Sequence, residues 1–209
     1  MNWCGDRYEY AARIAESVSA IYERNRREFM ERRRVLIYGS YLDVAKGIRF
    51  LEELRDRLRA NGFRHAYLVK DLSDEDLGVP RAYTAITDSA LRSLLRSLYS
   101  FRIADLLVFV LSYEPLRRYV SGVIVELVMY ADLYLRGGDV PEPLYALVLI
   151  DEELLKARGV LSSLVWGVLR ILQDLRIGYV EFSSIDDAVE AVQNRIDYVI
   201  REEKRMGRL

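Results

Sequence analysis

Glu126 is the single charged side chain in YVSGVIVELVMYA, the stretch from Tyr119 to Ala131. So few polar positions read as a helix that is apolar on every face and therefore buried. A carboxylate in that place must be paired, protonated or employed. Ser121 and Gly122 stand just ahead of it, about where a helix begins after the apolar run ADLLVFVLS (104–112). A lone acid near the start of a core helix is a site hypothesis for carboxylate chemistry, in which the group stabilises positive charge or attacks an electrophilic carbon.

The elements that must position it follow from alternating periods. RRRVLIYGSY is a short apolar run closing on Gly39, and VAKGIRFLEELRDRLRANGF is an amphipathic helix with Val44, Ile48, Leu51, Leu54 and Leu58 on one side and a Gly62 stop. HAYLVKDL (65–72) reads as a second strand, SDEDLGVPRAYTA as a polar connection and ITDSALRSLLRSLYSFR as a helix. ADLLVFVLS is a third strand, so apolar that both its faces must be covered, as in a parallel sheet flanked by helices. The Glu126 helix follows, then LYALVLID as a fourth strand, a helix from Leu161 to Asp174, GYVEFSS as a fifth strand and IDDAVEAVQNRIDYVIREEKR as a C-terminal helix. Five strand–helix alternations predict an α/β three-layer sandwich with a five-stranded parallel, flavodoxin-like sheet of order 2-1-3-4-5. Residues 1–33 are expected to be an added N-terminal helical arm and 34–209 a single nucleotide-binding-like domain.

In open sheets of this kind ligands bind beyond the carboxyl ends of the strands, where the strand order reverses. The order predicted here puts that point between the first and third strands. Gly39, Ser40 and Tyr41 after strand one, Asp71 after strand two, Ser112 and Tyr113 after strand three, and Ser121 and Gly122 at the helix start are the expected substrate-binding residues. Glu126 is the expected catalytic one.

IYGSY, ADLLVFVLS and SGVIVELVMYA together resemble the superfamily that joins nucleoside 2-deoxyribosyltransferases to TIR and TIR-like domains, over roughly residues 34 to 182. Gly122 and Glu126 match the Gly-Thr-x-x-Glu-x-Gly-x-Ala pattern of the transferases, and Glu126 and Leu127 match the Glu-Leu of the TIR pattern. The resemblance implies that Glu126 is catalytic and that the ligand is a nucleoside, a nucleotide or NAD. The chain departs from the transferases at Val120, where they carry an aspartate, and at Val123 and Val128, where they carry threonine and glycine. Cleaving an N-glycosidic bond builds positive charge on the ribose ring, which a carboxylate can stabilise or trap. Tyr41 or Tyr113 would stack on the base. The reading of another class is a non-catalytic TIR-like module that binds a nucleotide or a protein partner and keeps Glu126 for structure.

The formal net charge of -1 over 209 residues argues against nucleic acid as the partner of the whole chain. Cys4 and His65 are the only residues of their types, so neither an internal disulfide nor a cysteine–histidine metal cluster can be built, and no cofactor is implied. The apolar runs fall short of a membrane span, and a cytoplasmic location is expected. Arginine greatly outnumbers lysine, a composition that leans towards a heat-adapted source. Tyr8, Ala12, Ala15 and Tyr22 form a stripe on the arm that must cover something, and self-association through this helix is expected.

Plainer roles stand beside these. Glu126 would be held by a neighbouring arginine; Gly39 and Ser40 would be an ordinary strand-to-helix loop; Asp71 and Asp151 would be turn or cap acids. Asp105 sits at the wrong end of strand three to face the crevice.

Overall fold

Five short apolar runs become five parallel strands: β1 (Val35–Tyr38), β2 (Ala66–Leu68), β3 (Leu106–Leu111), β4 (Ala146–Asp151) and β5 (Gly178–Phe182). They form one sheet of order β2-β1-β3-β4-β5, as the alternation predicts. The structure is a computed structural model. It describes residues 3–41, 46–84, 86–112, 121–156 and 163–209, with side chains in those ranges other than 3–15, 84, 90, 121, 163–166, 168 and 169. Val35 pairs with both Ala66 and Leu106, Leu107 with Ala146, and Leu147 with Gly178. Every residue of β1, β3 and β4 is buried. This is why these strands read as unbroken apolar runs.

Helices cover both faces. The end of α1 (Trp3–Arg32) packs with α2 (Ile48–Ala60) and α8 (Ile185–Arg205) on the face that carries Val35, Ile37, Val108 and Leu149. α4 (Ser89–Ile103), α5 (Ser121–Leu135) and α7 (Ser163–Asp174) cover the face that carries Leu36, Tyr38, Phe109 and Val148. Sequence signals fix the helix starts. Asp88 accepts the N–H of Leu91 at 2.8 Å, and Ser184 and Asp187 form a reciprocal capping box at the start of α8.

Three differences from the sequence reading have physical causes. The second strand is three residues long because the Asp71 carboxylate accepts the N–H of Leu68 at 3.0 Å and turns the chain into a 3-10 segment, Val69–Asp71. Two short helices, α3 (Arg81–Thr84) and α6 (Glu152–Lys156), appear where connections were expected. The Glu126 helix is not buried on every face: Val125 is 47% and Val128 44% exposed, while Val123, Leu127 and Tyr130 are buried. α5 lies in the outer layer, so its apolar residues outnumber the positions the sheet and its neighbours can cover.

The C-terminal end of the N-terminal helix is anchored on the core. Tyr22 packs on the core, Arg26 pairs with Asp197 at 2.8 Å, and Phe29 and Met30 are buried. Glu16 to Ile21 are all exposed. At 30 residues the helix is about 45 Å long. Among the described residues, no helix is long and apolar enough to cross a membrane.

Candidate functional site

β1 ends on Tyr38, whose ring lies on the α4–α5 face between Phe109, 4.9 Å away, and Phe101, 5.3 Å away. Its hydroxyl is 2.7 Å from Ser100 Oγ on α4, in surroundings with no solvent access. One turn earlier on α4, buried Ser97 donates its hydroxyl to Glu126 Oε1 at 2.6 Å. Two helices and the end of β1 thus meet around the carboxyl that the sequence singles out.

Glu126 is half-buried, and among the described residues no arginine or lysine pairs with it. Burial pushes its pKa up to about 7, against the opposing pull of the Ser97 hydrogen bond. Desolvation disfavours the charged form, and a single neutral donor offsets only part of that. Such a carboxyl is shared between its acid and its base form near neutrality, the condition under which proton transfer and nucleophilic attack are both accessible.

Tyr41 forms a second wall. The residue is 40% exposed, yet its hydroxyl end is tucked against the backbone of Val69 and Lys70 beyond β2. Burial of that end raises the hydroxyl's pKa well above the usual phenol range, the charge of Glu126 adds to the rise, and hydrogen bonds with the Val69 and Lys70 backbone oppose it. Tyr41 is therefore part exposed, held at its hydroxyl, and near enough for the charge of Glu126 to act on it.

The other expected residues divide. Asp71 is spoken for by Arg55, at 2.9 Å, and by the Leu68 N–H, so it shapes the turn after β2. Gly39 faces α2: a Cβ there would lie 2.7 Å from Leu51 Cδ2, so the glycine serves close helix–sheet packing. Ser40 is half-buried and engaged in an interaction of its own. Ser112 is buried just past β3, and the strand's alternation carries it towards the α2–α8 face, away from Glu126. Gly122 is exposed, with open space where a Cβ would go. Tyr113 and the side chain of Ser121 lie outside the described residues.

Across β3, on the α2–α8 side, Lys46 Nζ lies 2.7 Å from Asp151 Oδ1 and 5.4 Å from the centre of the Phe182 ring. Asp151 is fully buried and also accepts the N–H of Glu153 at 3.1 Å. The acid at the end of β4 is thus an ion-pair partner as well as a cap.

The sequence reading missed Tyr38, Ser97 and Ser100. A signal was present: Ser89, Ser93, Ser97 and Ser100 recur at helical spacing in SALRSLLRSLYSF, which marks one polar stripe on an otherwise amphipathic helix. Nothing in that stripe says that it meets Glu126. Among the described residues, no group of three or more histidine, cysteine or acidic side chains could hold a metal ion. No protein-family model matches the chain, and no similar curated protein or solved structure was found.

Proposed function

We propose that this protein cleaves or transfers the N-ribosyl bond of a nucleoside, a nucleotide or NAD, with Glu126 as the reacting carboxylate, as its resemblance to the deoxyribosyltransferase and TIR-like superfamily implies. The observation that carries the reading is the Glu126 carboxyl itself, held at the α4–α5 side of the sheet by one hydroxyl, without a cation among the described residues and with a pKa near 7. A structural buried acid is ordinarily compensated by a positive partner. Among the described residues, Glu126 has no such partner.

In hydrolysis the bond between the anomeric carbon and the base nitrogen breaks, the bonding pair leaves with the base, and water supplies the new C–O bond, keeping one proton as the anomeric hydroxyl and giving the other to the departing base or, where the base leaves as a neutral pyridine, to the solvent. Ionised Glu126 stabilises the positive charge that builds on the ribose ring, or traps it as an ester that water then opens. Tyr41, exposed and pinned at its hydroxyl, supplies a stacking surface for the base.

Incubation with NAD and a panel of nucleosides and their 5′-phosphates, followed by chromatography of free base, tests the assignment. Release by the wild type that disappears in Glu126→Gln is the expected result. Release that persists in Glu126→Gln removes the residue from the chemistry.

A second reading, a TIR-like nucleotide-binding or protein-interaction module, is favoured by the outer face of the same helix, where Val125, Val128 and Leu135 are exposed. Self-association through the N-terminal helix belongs with it, since exposed Val18 and Ile21 continue the stripe read from the sequence. Failure of every substrate to release base, together with a stable dimer, would decide for the module.

A further inference from the structure

Three hydroxyls stand behind Glu126, and each has one hydrogen to give. Ser100 donates its hydrogen to the Ser97 carbonyl at 2.7 Å. Its Oγ is then left to accept, so the Tyr38 hydroxyl, 2.7 Å away, is the donor to it. Ser97 gives its own hydrogen to Glu126 Oε1 at 2.6 Å. Tyr38, Ser97 and Ser100 are all buried, so water is not at hand to replace any of these bonds.

The order of donors decides what the array can do. A proton cannot pass from Tyr38 to Glu126, because the Ser97 carbonyl interrupts the line of hydroxyls. Orientation is what remains. A serine inside a helix commonly spends its hydroxyl on a carbonyl one turn back, as Ser100 does. Ser97 instead reaches across to α5, and the Ser100 bond to its carbonyl, itself backed by Tyr38 between Phe101 and Phe109, holds that stretch of α4 in place.

We propose that Ser97 is a positioning residue for Glu126: by occupying Oε1 it assigns Oε2 as the oxygen that meets the ribosyl centre, and the Tyr38–Ser100 pair fixes Ser97 in turn. The inference rests on Glu126 being the reacting carboxylate. With Oε1 accepting from Ser97, a proton on the neutral form resides on Oε2. Near-attack geometry of this kind is worth orders of magnitude in rate when the reacting atom is held in line.

The test joins a titration to kinetics. The Glu126 side-chain carboxyl is followed by carbon NMR against pH, with Glu126→Gln identifying its resonance, in the wild type, Ser97→Ala, Ser97→Thr and Tyr38→Phe. Far-UV circular dichroism and melting establish that each variant is folded. Ser97→Ala is expected to raise the apparent pKa of Glu126 by about one unit, since the lost donor favours the ionised form. It should also lower kcat about ten-fold with KM within two-fold. Ser97→Thr, which keeps the hydroxyl, should restore both, and Tyr38→Phe should move both in the same direction by less. An unchanged Glu126 titration in folded Ser97→Ala overturns the positioning role whatever the activity. If the wild type releases no base while the titration moves as expected, the glycosidase reading falls and the Ser97–Glu126 relation stands.

Discussion

Lys46, in the connection after β1, reaches past the end of β3 and places its Nζ 2.7 Å from Oδ1 of Asp151, the last residue of β4. The ion pair joins the two strands that flank the central one, at the carboxyl edge where the strand order reverses. Asp151 is fully buried, and it accepts hydrogen bonds from this partner and from the Glu153 N–H.

Replacing Lys46 by methionine is therefore expected to destabilise the protein by about 3 kcal/mol, since a buried carboxylate loses an ion-pair partner. The double variant Lys46→Met with Asp151→Leu should recover most of that loss. Urea denaturation of the two variants at pH 7 measures the difference. Equal stabilities for the single and double variants would show that the loss does not come from a buried carboxylate left without Lys46.

The Glu126 carboxyl gives stability a pH dependence of definite sign. Its pKa rises from 4.5 to about 7 on folding, so the folded state holds a proton that the unfolded state has released. This contribution is fully present below about pH 4.5 and is lost as pH rises through about 7. Glu126→Gln should match the wild type near pH 4 and exceed it at pH 8, by up to about 3 kcal/mol. Denaturation at both pH values compares them. A variant less stable at pH 8 would mean that the ionised carboxylate is compensated.

Activity should run the other way. With the carboxylate as the active form, kcat/KM for base release rises as pH passes through about 7 and levels off above it. The rising limb should disappear with the activity in Glu126→Gln. A profile that falls through this range would identify the protonated carboxyl as the working form and make Glu126 an acid towards the leaving base.

The two sides of α5 should respond differently to truncation. Leu127 has no exposure, and Leu127→Ala is expected to cost 2–5 kcal/mol, the range typical of a buried leucine. Val125→Lys and Val128→Lys should each change stability by no more than about 0.5 kcal/mol, because both side chains face outward. Thermal melts of the three variants check the contrast. A large loss from either lysine variant would mean that a second molecule covers the outer face.

Val18→Glu with Ile21→Glu tests the arm. The pair should leave the melting temperature unchanged and shift the protein from dimer to monomer in sedimentation velocity. A monomeric wild type would remove the arm from self-association.

How much was legible in the chain follows from the range of the forces involved. The strand order and the alternation of layers could be read from ADLLVFVLS, LYALVLID and the amphipathic helices between them, because hydrophobic period depends on neighbours a few positions apart. Glu126 stood out for the same reason, as a charge against a local apolar background. Capping at Asp88 and Ser184 is likewise local chemistry.

Whatever depended on residues distant along the chain was decided by the tertiary structure. Ser97 meets Glu126 across 29 positions and Lys46 meets Asp151 across 105, through helix and strand packing that no local pattern encodes. The apolar composition of α5 could not tell an inner helix from an outer one, since the hydrophobic effect records how much surface prefers burial and not whether a neighbour is there to bury it. The sequence by itself determined the sheet, its order and the odd carboxylate. Only the folded chain decided that this carboxylate meets a serine, Ser97, on the neighbouring helix.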